Sequence, residues 1–176
     1  RNILGDQLTG RIGSESYSVV CGIKSFKNNI AHMGEGKILS LINNANIKYS
    51  GEDIDALING DIGTIDYKDP SWLGFEAEDL IATIDLGSVE KINFVETRFL
   101  QNQVFWIFLP KKIQIEHSLD GENFQLLHEV NPNNDYSFEQ KIFKYSIKPL
   151  NIESRFIRLK ATNLNKCPEY HPGSGG

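Results

Sequence analysis

The sequence lacks the features that would point to a membrane or to nucleic acid. No apolar run approaches the roughly 18 residues that a helix needs to cross a bilayer. Basic residues do not cluster beyond the pair Lys111–Lys112, and the net charge of -5 disfavours nucleic acid as a partner. The content of 40% hydrophobic and 23% charged residues is ordinary for a soluble globular protein, and 176 residues suffice for one domain with its own core.

Cysteine is scarce, and no targeting segment is visible. Cys21 and Cys167 lie far apart in the chain, and their positions fit one disulfide or two unpaired thiols equally well. There is no basic segment followed by an apolar one, as a secretory signal peptide would have. The chain begins at Arg1 rather than with methionine, which is typical of a piece of a longer polypeptide. We expect any address signal to lie upstream of it.

Recognisable catalytic patterns are also missing. The sequence has no G-x-S-x-G elbow, and its four histidines do not show the H-E-x-x-H spacing of a metal site. A glycosidase needs two carboxylates about 5 to 10 Å apart. The acidic segments Glu52–Asp55 and Glu76–Asp79 could supply them, but solvated loop acids explain both segments equally well. The sequence therefore indicates no active site.

The sequence does contain a succession of short strand patterns separated by turns. The clearest is ATIDLG, which alternates apolar and polar residues and stops at Gly87. Further strands are predicted at Tyr17–Ile23, Ile38–Ile42, Ile92–Phe94, Phe105–Leu109, Ile113–His117, Phe124–Leu127, Lys141–Ile147 and Arg155–Lys160. No helical periodicity longer than two turns appears. Strands at this spacing predict an all-β sandwich or barrel.

The first thirty residues differ from the remainder. They contain four glycines and a single strand pattern, and such a segment can bury little apolar surface by itself. We interpret residues 1–30 as the last strand or tail of a preceding domain plus a linker, or as an arm packed on the main domain. The main domain is predicted to span residues 31–176.

One tight loop carries oxygen ligands of the kind that calcium prefers. Asn59, Asp61 and Thr64 lie close together in the segment INGDIGT, and the carbonyl of Ala56 or Leu57 could join them. The alternative is an Asx-turn that stabilises the loop without a metal.

Sugar recognition combines an aromatic face with polar groups presented on loops, and the sequence offers several candidates for both. They are Tyr67, Trp72, Gln101, Asn102, Trp106, Tyr170 and His171. For the two tryptophans, a place in the core is a serious alternative, because large aromatic side chains are usually well buried. Tyr170 and His171 are better candidates, since a tail rich in proline and glycine is not expected in an interior.

Several longer motifs point to one family. WLGFEAEDLIATIDLGSVEKI, RFLQ, WIFLPKKIQIEHSLDGENFQLL and RFIRLKATN together resemble the coagulation factor 5/8 type C, or discoidin-like, domain, a family that includes carbohydrate-binding module family 32. Trp72–Phe75, Trp106–Pro110 and Cys167–Gly176 occur in the same order as in the C-terminal module of bacterial family 20 glycoside hydrolases. The resemblance covers about residues 37–176.

The resemblance implies an eight-stranded jelly-roll β-sandwich of the galactose-binding-domain-like type, with ligand loops at one end and often a structural calcium ion. The family's D-G-D-x-x-T calcium loop matches at Gly60, Asp61 and Thr64, whereas Asn59 replaces an aspartate and removes one charge. Family members continue past the tail into a final strand, which this chain does not contain. The domain is therefore expected to lack its last strand.

The function that the resemblance implies is that of a non-catalytic carbohydrate-binding module. It would hold a secreted, periplasmic or cell-surface glycoside hydrolase, such as a β-N-acetylhexosaminidase or chitobiase, near glycans that end in galactose or an N-acetylhexosamine. The alternative is a structural module that docks on its own upstream catalytic domain without binding sugar. Membrane binding through Val104–Leu109 is a third reading, which the acidic net charge disfavours.

Overall fold

The computed structural model describes residues 8–12, 15–22, 25–30, 32–49, 51, 53–134 and 136–174. The regular structure in these residues is β-strand, apart from three short 3-10 helices at Ile47–Tyr49, Ile54–Leu57 and Gln103–Phe105. The strands are β1 (Leu8–Ile12), β2 (Glu15–Gly22), β3 (Ser25–Ile30), β4 (Ile38–Leu41), β5 (Leu80–Ile92), β6 (Val95–Gln101), β7 (Lys112–Ser118), β8 (Gln125–Val130), β9 (Lys141–Ile147) and β10 (Ile152–Thr162).

The N-terminal strands form an antiparallel sheet of their own, in the order β1-β2-β3. The sequence predicted only one strand here, Tyr17–Ile23, and β2 confirms it as far as Gly22, while Ile23 lies outside the described residues. The two flanking strands were missed because Gly10 and the two asparagines of β3 are residue types depleted in strands. Backbone pairing on both sides of β2 forms them regardless of that preference.

The main sheet has five antiparallel strands in the order β4-β5-β10-β7-β8, with β10 at its centre. The alternation predicted from ATIDLG is confirmed, because Leu80, Ala82 and Leu86 of β5 are all less than 9% exposed. The predicted stop at Gly87 is wrong, because β5 continues to Ile92. The alternating strand predicted at Arg155–Lys160 is part of β10. Apolar side chains of successive strands thus cover one face of the sheet.

A second sheet, formed by β6 and β9, packs on that apolar face. Val95 of β6 and Ile147 of β9 contact a buried cluster of Leu86, Ile92, Ile115 and Ile157 from the main sheet. A second buried cluster consists of Leu39, Ile58, Leu80, Ala82 and Ala161, against which Phe99 of β6 packs. The predicted all-β jelly-roll sandwich is confirmed. Its described strands are β4 to β10, one fewer than the eight expected, and no strand follows Thr162 as far as residue 174.

Two predicted strands are wrong. Ile92 is the last residue of β5, and Asn93 and Phe94 connect β5 to β6. Phe105–Leu109 is a turn: a 3-10 helix ends at Phe105, and Trp106 takes a left-handed conformation with φ 63. The turn is closed by an isolated bridge in which Asn102 and Ile107 exchange backbone hydrogen bonds. The apolar run misled the prediction because Val104, Phe105 and Trp106 are all more than half exposed, and their hydrophobicity therefore does not reflect burial in a sheet.

Two remaining expectations concern cysteine and the membrane. Cys167 is a free cysteine of intermediate exposure, so the disulfide alternative does not hold in this structure. The side chain of Cys21 lies outside the described residues. Among the described helices, none is long and apolar enough to cross a membrane.

Candidate ligand-binding site

Strand register brings several connecting segments to one end of the sandwich. The last residue of β6, Gln101, pairs with the first residue of β9, Lys141, so the loops that follow β6 and precede β9 meet there. Thr162 at the end of β10 pairs with Lys112 at the start of β7, which places the C-terminal tail beside the same loop. This end is therefore built from residues 102–111, 131–134, 136–140 and 163–174.

Aromatic side chains gather at this end and remain largely accessible. We use the term aromatic surface for Phe105, Trp106, Tyr136, Phe138 and Tyr170, which are between 40% and 61% exposed. Tyr136 lies against Phe138, with 4.7 Å between ring centroids, and 6.0 Å from the ring of Tyr170. Isolated exposed apolar residues are normal on a protein surface, whereas contiguous ones mark binding sites. The aromatic surface is the candidate site.

Trp106 is 56% exposed, and the tail holds its indole at one edge. A Cβ added to Gly173 would come within 2.4 Å of Cζ2 and Cη2 on the edge of the six-membered ring. The ring of His171 lies 4.9 Å from the indole, centroid to centroid, and tilted by 59°. The backbone at Trp106 is left-handed, which is rare for a bulky residue. We call this exposed indole, held at its edge by the tail, the platform.

His171 is a support for the tail and does not face a ligand. It is only 8% exposed. Its Nδ1 accepts a hydrogen bond from the backbone N–H of Gly173 at 3.1 Å, so the proton must lie on Nε2, which donates to the carbonyl of Gln103 at 3.0 Å. With both nitrogens engaged inside the protein, the imidazole anchors the tail to the loop after β6. The predicted direct contact between His171 and sugar does not fit this burial.

Tyr67 lies beside the aromatic surface, whereas Trp72 packs within the loop before β5. The ring of Tyr67 lies 4.8 Å from that of Phe105, so Tyr67 is at the edge of the aromatic surface. Trp72 is half-buried: its indole packs on Gly63 and donates a hydrogen bond of 2.7 Å to the carbonyl of Thr64. Trp72 therefore braces the loop before β5, and it belongs neither to the two buried clusters nor to the aromatic surface.

Gln101 and Asn102 lie beneath the surface. They are 2% and 1% exposed, respectively, and in the described part of the chain no hydrogen-bond partner meets Gln101 Oε1 or Asn102 Oδ1. Their polarity suggested exposure, but the last residues of β6 are covered by the loops that meet at this end. The predicted contacts between these two side chains and a sugar do not fit this burial.

Of the predicted sugar-binding residues, the structure brings Trp106 and Tyr170 together on the aromatic surface and Tyr67 to its edge. Sequence reasoning missed Phe105, Tyr136 and Phe138. For the last two a signal was present, because aromatic residues that directly follow the polar loop NPNND have no strand pattern to account for them.

The predicted calcium loop contains the Asx-turn that the sequence offered as the alternative to a metal site. Oδ1 of Asn59 accepts a hydrogen bond from the backbone N–H of Asp61 at 2.9 Å, as in an Asx-turn. Leu57 ends the short helix that Asp53 caps. Among the described residues, no group of three or more His, Cys, Asp or Glu side chains comes together as metal ligands. A cation at this loop would depend on the carboxylate of Asp61 and on neutral oxygens of Leu57, Asn59 and Thr64.

Asp69 is a further acidic residue beside this loop that sequence reasoning did not single out. Its Oδ2 accepts the N–H of Thr64 at 2.9 Å, and its Oδ1 accepts the N–H of Ser71 at 3.0 Å. Partial burial acts to raise the pKa of Asp69, but the hydrogen bonds from Ser71 and Thr64 together outweigh it and lower the pKa. The carboxylate is thus committed to holding the loop closed.

A sequence model of the F5/8 type C domain matches residues 42–172. Among solved structures, the chain is similar to the CpGH89CBM32-4 module of Clostridium perfringens in complex with GlcNAc-α-1,4-galactose. The TM-score is 0.53 at 17% identity, and the alignment covers 80% of this chain and 85% of that chain.

Two other solved structures are similar in fold. The C-terminal domain of a chitobiase from Bacteroides fragilis has a TM-score of 0.47 at 16% identity, over 74% of this chain and 85% of that chain. A fucose binding module of Streptococcus pneumoniae has a TM-score of 0.49 at 13% identity, over 74% and 86% of the two chains. No match was found among curated proteins.

Proposed function

Because the chain belongs to the F5/8 type C domain family, as its motifs predicted, we propose that it is a non-catalytic carbohydrate-binding module of a glycoside hydrolase. The observation that carries the proposal is the exposed indole of Trp106 within the aromatic surface, held at its edge by the tail. Sugar rings have one face rich in C–H groups, and the electron-rich face of an indole attracts such groups while excluding water. An exposed tryptophan whose indole is held in place is therefore suited to stacking on a sugar.

The role proposed for the module is to raise the local concentration of an attached enzyme at its substrate. Tethering makes the second encounter intramolecular, so even weak binding of one sugar lengthens the stay of the whole enzyme on a glycan. We propose a β-N-acetylhexosaminidase or chitobiase as the attached enzyme, located outside the cytoplasm or at the cell surface, on the strength of the W-L-G-F, WIFLP and C-terminal tail motifs.

The ligand class that we propose is a glycan ending in galactose or an N-acetylhexosamine. The similar module of Clostridium perfringens was solved with GlcNAc-α-1,4-galactose, a disaccharide built from both sugar types. A calcium ion, where bound, would neutralise charge and stiffen the loop at residues 57–64 through oxygens of Leu57, Asn59, Asp61 and Thr64. It would have no chemical step to perform.

Isothermal titration calorimetry with GlcNAc-α-1,4-galactose, galactose and N-acetylglucosamine tests the proposal. We expect the wild-type chain to bind saturably. The affinity of Trp106→Ala should be lower by tenfold or more. Leu119→Ala is the matched control, because Leu119 is also apolar and 59% exposed but lies in the turn between β7 and β8, at the other end of the sandwich.

The alternative of a docking module predicts a different result. That reading would have been favoured by loops without exposed aromatic residues, whereas the loops at this end carry the aromatic surface. If the folded wild-type chain binds none of the sugars at millimolar concentration, the carbohydrate proposal fails. Equal binding by wild type and Trp106→Ala would show that the sugar binds elsewhere.

A further inference from the structure

One buried residue is hydrogen-bonded, through its side chain and its backbone carbonyl, to every segment that supplies the aromatic surface. Gln103 is 1% exposed. Its Oε1 accepts the backbone N–H of Ser137 at 3.1 Å, and its Nε2 donates to the hydroxyl of Tyr170 at 3.4 Å. Its backbone carbonyl accepts the N–H of Trp106 at 3.0 Å and Nε2–H of His171, also at 3.0 Å.

The orientation of the amide follows from its partners. A backbone N–H can only donate, so the oxygen of the Gln103 side chain must face Ser137 and the NH₂ group must face Tyr170. Ser137 stands between Tyr136 and Phe138 in the chain, so this bond fixes the segment that carries both rings. Each of the three segments is therefore held to the same residue.

We propose that Gln103 is a positioning residue: it sets the mutual placement of Trp106, Tyr170 and the Tyr136–Phe138 pair, and ligand affinity depends on it although it cannot touch a ligand. This inference rests on the proposed carbohydrate-binding function. It names the residue that assembles the site, which neither the family match nor the sequence motifs single out.

The physical argument concerns the order of the loops before a ligand arrives. Residues 131–134, 136–140 and 163–174 form no strands, so no sheet ladder fixes them. Without the Gln103 amide, the loop at Ser137 and the tail at Tyr170 would sample other arrangements. The apparent affinity is then the intrinsic affinity multiplied by the fraction of molecules that retain the competent arrangement, so it falls as that fraction falls.

Gln103→Met is the variant that tests this, because methionine has a similar length and no hydrogen-bonding amide. We expect about tenfold weaker sugar binding by calorimetry, the effect of losing roughly one buried hydrogen bond. Gln103→Glu should restore part of the affinity, because a carboxylate can accept from both Ser137 N–H and a tyrosine hydroxyl. Such rescue would not be expected if residue 103 merely filled space.

Ser154→Ala is the control for general destabilisation. Ser154 is fully buried, and its hydroxyl donates to the carbonyl of Ser118 at 2.9 Å. It lies eight residues before the end of β10, about 25 Å along the strand from the tail. Both Ser154→Ala and Gln103→Met should be less stable to urea, but only Gln103→Met should lose affinity.

Amide hydrogen exchange gives a measurement that does not need a ligand. The N–H of Ser137 should be protected in the wild-type chain and exposed in Gln103→Met. If wild type binds no sugar, the proposed function fails, and the exchange measurement alone decides the role of Gln103. If wild type binds and Gln103→Met binds equally, or if Ser137 is unprotected in wild type, the positioning role is refuted.

Discussion

Replacing Gly173 with alanine tests whether the position of the Trp106 indole depends on the close approach of the tail to its edge. The added Cβ would overlap Cη2 and Cζ2 of Trp106, and it would lie 3.3 Å from Nδ1 of His171. His171 is held at both ring nitrogens, whereas the indole is 56% exposed and has solvent to move into. We therefore expect the indole to move outward while the tail keeps its place.

The two effects of this substitution differ in size. Overpacking a closed core costs about 1–3 kcal/mol of stability, and the low end, about 1 kcal/mol, is expected here because the indole can move away. Binding should suffer more, because a displaced platform no longer meets the face of the sugar. We expect sugar affinity to fall about tenfold, which corresponds to about 1.4 kcal/mol of binding free energy.

Gly36→Ala is the control for this prediction. Gly36 precedes β4, whose first residue, Ile38, pairs with Asp85 at the end of the sandwich away from the tail. An added Cβ there meets nothing within 4 Å, but the backbone has φ +67, so alanine should destabilise the fold by about 1 kcal/mol through strain.

The measurements are urea unfolding, calorimetric titration and near-ultraviolet circular dichroism, which reports the surroundings of the indole. Both alanine variants should be slightly less stable than wild type, and only Gly173→Ala should change the aromatic spectrum and the affinity. A Gly173→Ala chain with wild-type affinity and a wild-type spectrum would refute the platform argument.

Trp72→Phe removes the hydrogen bond to Thr64 but keeps an aromatic ring in place, so the free energy of unfolding in urea should fall by about 1 kcal/mol; an unchanged midpoint would contradict the bracing role. Hydrogen bonds from Arg155 are the main cause that lowers the pKa of Asp85 from 3.8 to about 2. This carboxylate therefore stabilises the fold above pH 4, and the stability difference between wild type and Asp85→Asn should shrink as the pH falls from about 4 to about 2; a difference independent of pH would contradict it. Millimolar calcium should raise the melting temperature of wild type but not of Asp61→Asn, and no rise in wild type would contradict an ion at this loop.

The strands that are clearest in the sequence are those in which side-chain alternation and burial coincide. ATIDLG in β5 and RFIRLK in β10 each turn one apolar face to the core, so a period of two is visible in the letters. The run Phe105–Leu109 is just as apolar, but its first residues lie in an exposed turn and not in a buried strand. Composition alone cannot separate these cases, because both place several apolar residues in succession.

Sequence reasoning identified residues of the candidate site correctly only where their exposure to solvent could be judged from the neighbouring sequence. Tyr170 was assigned to the surface because its segment is rich in proline and glycine, whereas Trp106 was a candidate for which a place in the core stayed open. Gln101 and Asn102 were assigned to the surface as polar residues, but the loops that cover them come from parts of the chain thirty and sixty residues further on. Burial of that kind is a tertiary property that no local pattern encodes.

The C-terminal tail shows why a motif can mark a binding module without contributing a ligand contact at most of its positions. Pro168 accepts the N–H of His171, and His171 in turn accepts the N–H of Ser174, so the tail is wound into consecutive turns. Those turns bring Gly173 and the imidazole of His171 against the indole of Trp106, with Gly173 at the edge of its six-membered ring. Histidine is needed for its two opposed nitrogens and glycine for its missing side chain. The spacing of these residues is therefore explained by holding one tryptophan in place, without any contact between the tail motif's histidine and a ligand.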